Sequence, residues 1–152
     1  MAQTHDEAAQ RLAQRCTAEL RANDACAALL GIEVVATGPG TATLRMGVRE
    51  DMLNGQGACH GGILFTLGDA AFGYACNSRN ELSVAAAGQI DFVRPARPGD
   101  TLRATARERW LSGRTGLYEI EITNAAGEAV AFMQGRAHRT RDRLLPDTGD
   151  GA

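Results

Sequence analysis

Residues 63–76 read as a helix with no polar face. Ile63, Leu67, Ala70 and Tyr74 lie on one side, and Leu64, Ala71 and Ala75 sit beside them. Phe65, Phe72 and Cys76 occupy the other side. A surface helix carries one apolar stripe and one polar stripe; a helix apolar all round predicts burial all round. A sheet wrapped about that helix provides such burial. The chain has 152 residues, enough for one domain with a real core.

The flanking pattern supplies the sheet. Residues 5–24 carry a loose helical stripe (Ala8, Ala9, Leu12, Ala13, Cys16, Leu20), and residues 25–30 read as a short second helix stopped by Gly31. Residues 32–36 read as a strand and Gly38-Pro39-Gly40 as a turn. In residues 41–48, Ala42, Leu44, Met46 and Val48 alternate with polar neighbours, as in a half-buried strand. Residues 49–60 form a loop closed by Gly61-Gly62. Residues 83–94 are strand-like and end at Pro95. In residues 102–111, Leu102, Ala104, Ala106 and Trp110 are expected inward. Tyr118, Ile120 and Ile122 alternate with Glu119, Glu121 and Thr123. Residues 124–127 form a hairpin turn, and residues 129–139 are the last strand. Helices do not alternate with strands, so the class is α+β with an antiparallel sheet. The expected division is an N-terminal helical segment (1–30), the main domain (31–140) and a disordered tail (141–152).

Charge and cysteine usage exclude several classes. The formal net charge is -2, which argues against a nucleic-acid binder. All 16 basic residues are Arg, a bias that matches the Ala- and Gly-rich composition. No run approaches the roughly 18 apolar residues of a membrane span. Residues 1–7 lack the basic and apolar stretches of a signal peptide, which predicts a cytoplasmic protein. Cys16, Cys26, Cys59 and Cys76 form no Cys-x-x-Cys pair, and the three His stand far apart. Reduced thiols, no metal and no other cofactor are expected.

One charge, Asp69, stands inside the apolar helix, and residues 63–78 contain no Lys or Arg to pair with it. A buried carboxylate is costly unless hydrogen-bonded or paired. Asp69 is therefore either a capped structural residue or a working carboxylate whose proton affinity is set by burial. His60-Gly61-Gly62 precedes the helix. The first amides of a helix are unsatisfied donors at its positive end, and glycines let a ligand oxygen approach them. That arrangement can serve as an oxyanion hole. Eight positions separate Gly61 from Asp69, roughly 12 Å along a helix. One helix cannot bring both to one carbonyl, but two antiparallel copies can. If both act, the protein is at least a two-fold dimer.

The run NGQGACHGGILFTLGDAAF (residues 54–72) resembles the signature of hot-dog-fold acyl-CoA thioesterases. IDFVRPARPGD (residues 90–100) resembles the strand and turn that follow it there. YACNS (residues 74–78) is similar to the thioesterases of phenylacetate degradation. The resemblance covers residues 30–140. It implies a long helix wrapped by an antiparallel sheet, and homodimers with a continuous sheet that pair into homotetramers. It implies metal-free hydrolysis of aromatic or medium-chain acyl-CoA, phenylacetyl-CoA or its ring-hydroxylated forms foremost. The family's helix carboxylate falls on Asp69 and its carbonyl-polarising amide on Gly61. Its loop Asn falls on Asn54 and its pre-helix His on His60. Where relatives place a Thr or Ser that positions water, this chain has Gln89.

Within that reading, Met52, Leu53, Gly62, Phe65, Phe72 and Gln89 are candidates for contact with the acyl group, the Phe side chains being equally at home in a core. Arg94, Arg97, Arg136 and Arg139 are candidates for the CoA phosphates, with Arg141 and Arg143 near them in sequence. Asn54 either orients the carboxylate or water, or builds an Asn-Gly turn. His60 is expected to hold its loop rather than act as a base, having no evident partner to set its tautomer. Cys59 and His60 are sequence neighbours on an extended loop, whose side chains point apart, so a Cys–His nucleophile is disfavoured. Two other readings stay open. An acyl-CoA dehydratase would pair a His with the helix carboxylate. The second is a non-catalytic acyl-CoA-binding or sensor protein; some regulators carry this fold with a DNA-binding segment attached, and residues 1–30 are too short for a full helix-turn-helix and lack a basic stripe.

Overall fold

The computed structural model describes residues 2–146. Two helices, α1 (Ala2–Asn23) and α2 (Ala25–Leu29), precede a hairpin of β1 (Glu33–Gly38) and β2 (Thr41–Gly47). One tight turn at Glu50–Met52 leads to the long helix α3 (Gly61–Cys76). β3 (Ser83–Phe92), β4 (Thr101–Ser112), β5 (Thr115–Thr123) and β6 (Ala129–Arg139) follow. All strand pairs are antiparallel, and the sheet order is β1-β2-β4-β5-β6-β3. The chain leaves the sheet after β2, runs through α3, and returns at the far edge as β3. This is the α+β hot-dog arrangement read from the sequence.

The inner face of the sheet closes on α3. Leu44, Met46, Leu102, Ile120, Ile122 and Met133 are all buried, as are Leu67 and Phe72 of the helix. Close approach depends on glycine at two points. A Cβ on Gly68 would lie 2.9 Å from Met133 Sδ, and one on Gly135 would lie 2.9 Å from the Phe72 ring. Phe72 in turn tilts against Tyr118 at 5.3 Å between centroids.

Three expectations change. First, α3 is not buried all round. Gly62 and Asp69 are exposed, and Thr66 and Gly73 are half-buried, forming one open stripe. One sheet covers only one side of a helix, and the stripe is made of small residues that the apolar count did not distinguish. Second, Trp110 points outward and is 51% exposed. A bulge at Arg109, between Glu108 and Trp110, shifts the alternation by one residue. Third, residues 141–146 are docked rather than loose. Asn80, itself at a φ of 59°, exchanges hydrogen bonds with Leu145: its Oδ1 accepts the Leu145 N–H at 2.6 Å and its Nδ2 donates to the Leu145 carbonyl at 3.4 Å. Leu145 is buried. The rest of the expected tail, residues 147–152, lies outside the described residues. The N-terminal segment packs its α1 on β1 and buries Ala13 and Cys16.

The Gly135 contact predicts an overpacking cost. Gly135→Ala is expected to lower stability by about 1–3 kcal/mol, read as a fall in the urea midpoint at unchanged slope.

Candidate active site

The loop before α3 is built to present the helix start. Asn54 Oδ1 accepts the N–H groups of Gln56 (2.9 Å) and Ala58 (3.2 Å), so its side chain oxygen organises the turn. Leu53 bridges Cys59, Cys59 N–H donates to Ala96 O, and His60 N–H donates to Met52 O. His60 then caps the helix. Its Nδ1 accepts the Gly62 N–H at 3.2 Å, and its carbonyl accepts Ile63 and Leu64. The helix therefore begins at Gly61, two residues before the apolar run suggested. An acceptor at Nδ1 places the proton of the neutral ring on Nε2.

These bonds account for three of the four orphan donors of the first turn. The fourth, the Gly61 N–H, has no acceptor among the described residues. The Phe92 ring lies directly over Gly61, where a Cβ would come within 2.9 Å of it. Phe92 is 53% exposed and Gly61 is half-buried.

Asp69 lies on the open stripe further along. It lines a cleft of about 580 Å³ between the α1–α2 elbow and α3, together with Leu20, Asp24, Ala70, Gly73 and Tyr74. No salt bridge to Asp69 forms among the described residues. Water reaches the side chain from the open side, which corrects the expectation of a fully buried charge. The cleft walls still strip enough solvent to push its carboxyl above the ordinary aspartate range, and the Asp24 carboxylate adds to the effect.

The other candidates separate. Phe65 is half-buried and reaches Gly88. Phe72 is 1% exposed and Met52 3% exposed; both are core, so neither offers a surface to an acyl group in this chain. Leu53 is half-buried against the core. Gln89 pairs with Gln134 in the row that points away from α3, and lines an outer groove with Arg109, Glu119 and Arg136. The candidate acyl contact at Gln89 therefore falls on the face of the sheet away from α3. Arg94 approaches Glu128 at 3.6 Å, and the largely buried Arg139 binds Glu81 at 2.8 Å. The Arg97 N–H donates to Asp100 Oδ2, and its guanidinium has no partner among the described residues. Arg141 and Arg143 are exposed.

Burial raises the thiols of Cys59 and Cys76, the latter to about 12, which keeps both protonated at neutral pH. Among the described residues no three His, Cys, Asp or Glu groups are placed to hold a metal ion. No described helix is long and apolar enough to cross a membrane. Two neighbours of the site were not singled out from sequence. Phe92 lies in the strand-like run 83–94, but only the strand order lays it over Gly61. Asp24 lies at the end of the first helical stripe, and its place in the cleft of Asp69 depends on how the elbow docks.

Comparison with known proteins agrees with this architecture. Residues 56–131 match the thioesterase superfamily. The chain is 50% identical over 117 residues to the acyl-coenzyme A thioesterase PaaI of Escherichia coli, spanning 77% of this chain and 84% of that one. The structure of the E. coli PaaI protein from the phenylacetic acid degradation operon superposes with a TM-score of 0.87 at 45% identity, covering 88% of this chain and 97% of that one. A Streptococcus mutans protein bound to acetyl CoA superposes with a TM-score of 0.71 at 26% identity, covering 74% and 90%. The chain belongs to the thioesterase superfamily. The enzyme class read from its sequence, a thioester hydrolase, is the one that family defines.

The thiol assignments are checkable. Iodoacetamide under native conditions is expected to modify Cys26, the exposed thiol, well before Cys16, Cys59 or Cys76. Peptide mass spectrometry reads the order.

Proposed function

We propose that the chain is a cytoplasmic acyl-CoA thioesterase that hydrolyses phenylacetyl-CoA or its ring-hydroxylated forms to the free acid and CoA. The observation that carries this is a pair on one open helix: among the described residues the Gly61 amide has no acceptor and the Asp69 carboxylate forms no salt bridge. The names of the E. coli relative and its operon support the substrate class, and the S. mutans relative with acetyl CoA supports CoA-ester binding.

In this reading the thioester oxygen sits on the Gly61 N–H at the positive end of α3. Asp69 then acts in one of two ways. As a general base it takes a proton from water while the water oxygen attacks the carbonyl carbon. As a nucleophile it attacks that carbon itself, giving a mixed anhydride that water then cleaves. Either way the negative charge of the tetrahedral intermediate rests on the Gly61 donor, and its collapse expels CoA thiolate, which takes up a proton. Phe65 and Phe92 flank the reacting end, and Gly62 keeps it open. His60 and Asn54 serve by fixing the loop. Arg97 is the best placed of the four Arg for a CoA phosphate, because Ala96 is hydrogen-bonded to the loop before α3.

Gly61 and Asp69 stand too far apart on one helix to serve the same carbonyl, so the complete site takes each from a different subunit of a homodimer. Two features favour this pairing. The open stripe of α3 is small enough for close approach of a second helix. The sheet has two edges, β1 and β3; α1 packs on β1, whereas β3, ten residues with Ala85, Ala86 and Ala87 in sequence, keeps one row of unpaired backbone groups. Pairing β3 with its copy continues the sheet, and two such dimers make the homotetramer.

The first test is CoA release from arylacetyl, benzoyl and linear acyl-CoA esters, followed by chromatography. Turnover is expected to be fastest on arylacetyl esters and to fall about 10²–10⁴-fold in Asp69→Asn. Absence of turnover on every ester by the folded protein would favour a binding role instead. The second test mixes two inactive variants, Asp69→Asn and Gly61→Pro. Proline at the first helical position removes the donor and keeps the helix. Mixed dimers recreate one intact site each, so activity is expected to return to about a quarter of wild type. No recovery, with subunit exchange demonstrated, rules out the shared site.

A further inference from the structure

The cleft that holds Asp69 contains a second carboxylate that the reaction above does not use. Asp24 is the single residue between α1 and α2. Its Oδ1 accepts the Ala27 N–H at 2.9 Å and caps α2. Its Oδ2 accepts the Tyr74 hydroxyl at 2.9 Å, across 50 residues of sequence. Tyr74 is one and a half helical turns beyond Asp69 on α3, and its ring is buried. Both oxygens of Asp24 are thus tied by neutral donors, and no cation forms a salt bridge with it among the described residues.

We propose that Asp24 is a positioning residue for thioester hydrolysis: through its bond to Tyr74 it anchors the α1–α2 elbow against α3 and holds a second carboxylate in the cleft of Asp69. The proposal deepens the reading of Asp69 as the reacting carboxylate and rests on it. Several other groups surround the cleft. Glu19 lines it from α1, Cys26 from α2 and Tyr74 from α3. Arg21 acts on Tyr74, and Cys76, near Arg139, interacts with Asp69. Among these, Asp24 is the charge that raises the Asp69 carboxyl, second to the loss of solvent. The Tyr74 hydroxyl is itself pushed well above its ordinary range by burial and by Asp24, so it stays a neutral donor. A carboxylate of raised proton affinity is the better base wherever it remains ionised.

The signs follow directly. Asp69 must be ionised to act, so activity falls as pH drops through its folded pKa, which lies above that of ordinary aspartate. Asp24→Asn keeps the size and the α2 cap but removes the charge. Tyr74→Phe cuts the tie and leaves the charge. The experiment measures kcat/KM against pH for both variants and wild type. It pairs each profile with the Asp69 carboxyl titration by ¹³C NMR, assigned through Asp69→Asn. In Asp24→Asn, the acid limb and the NMR midpoint are both expected to move to lower pH, with a several-fold fall in plateau kcat/KM. In Tyr74→Phe, activity falls without a shift of the limb to lower pH. An Asp69 midpoint in Asp24→Asn that coincides with wild type overturns the proposal. Added salt supplies a third measurement on the unaltered protein, because screening of Asp24 is expected to lower the same midpoint. Undiminished turnover in Asp69→Asn would instead sink the reading of the reaction. The NMR midpoint needs no turnover and reports the coupling of the two carboxylates separately.

Discussion

The packing of α3 into the concave face of the sheet is the contact on which the rest depends. It buries Leu67 and Phe72 against Ile120, Ile122 and Met133. It is tight because glycines stand where helix and strands approach most closely, at Gly68 and Gly135. It also fixes how the helix is rotated. With one side committed to the sheet, the opposite side is the stripe Gly62, Thr66, Asp69, Gly73. The rotation that fills the core is therefore the rotation that opens the Gly61 amide and the Asp69 carboxylate to a ligand.

The two ends of that stripe are prepared by different means. At the start, the loop is closed on itself by Asn54 and by the His60 cap, and the backbone donor of Gly61 is held without an acceptor among the described residues. A rigid donor costs no reorganisation when charge develops on a substrate oxygen. Further along, the docked elbow supplies the surroundings of Asp69. The Asp24–Tyr74 bond holds that elbow, and its walls remove solvent from the carboxylate. In the proposed reaction the held donor would take the charge of the substrate oxygen and the carboxylate of raised proton affinity would serve as base or nucleophile.

The residues differ in how far their patterns could be read. Alternation alone put Ala42, Leu44, Met46, Leu102, Ala104, Ile120 and Ile122 inside, because a strand with one wet face must repeat every second residue. The same rule failed at Trp110, since a bulge inserts a residue that no local composition announces. Phe65 and Phe72 looked alike as apolar helix residues, yet one is half-buried and the other is core. Seven residues apart, they share nearly one side of α3 but stand roughly 10 Å apart along it; Phe65 meets Gly88 of the edge strand β3, and Phe72 meets Gly135 of the inner strand β6. Asp69 was conspicuous as a lone charge. Its exposure was not, because burial all round presumes a cover that one sheet does not supply.

From the sequence by itself came the class α+β, the element order, the position of the long helix, and the resemblance that named Gly61 and Asp69. These are properties of periodicity and of local motif, which the chain carries before any two distant segments meet. Tertiary structure alone decided which strand forms the free edge, which face Gln89 and Arg136 occupy, and that Phe92 lies over Gly61. It alone brought Asp24, from the first helical elbow, to the cleft of Asp69. Those placements depend on strand order and on docking between segments many residues apart. They are set by the volume and charge of the whole assembled core, which no local stretch of sequence contains.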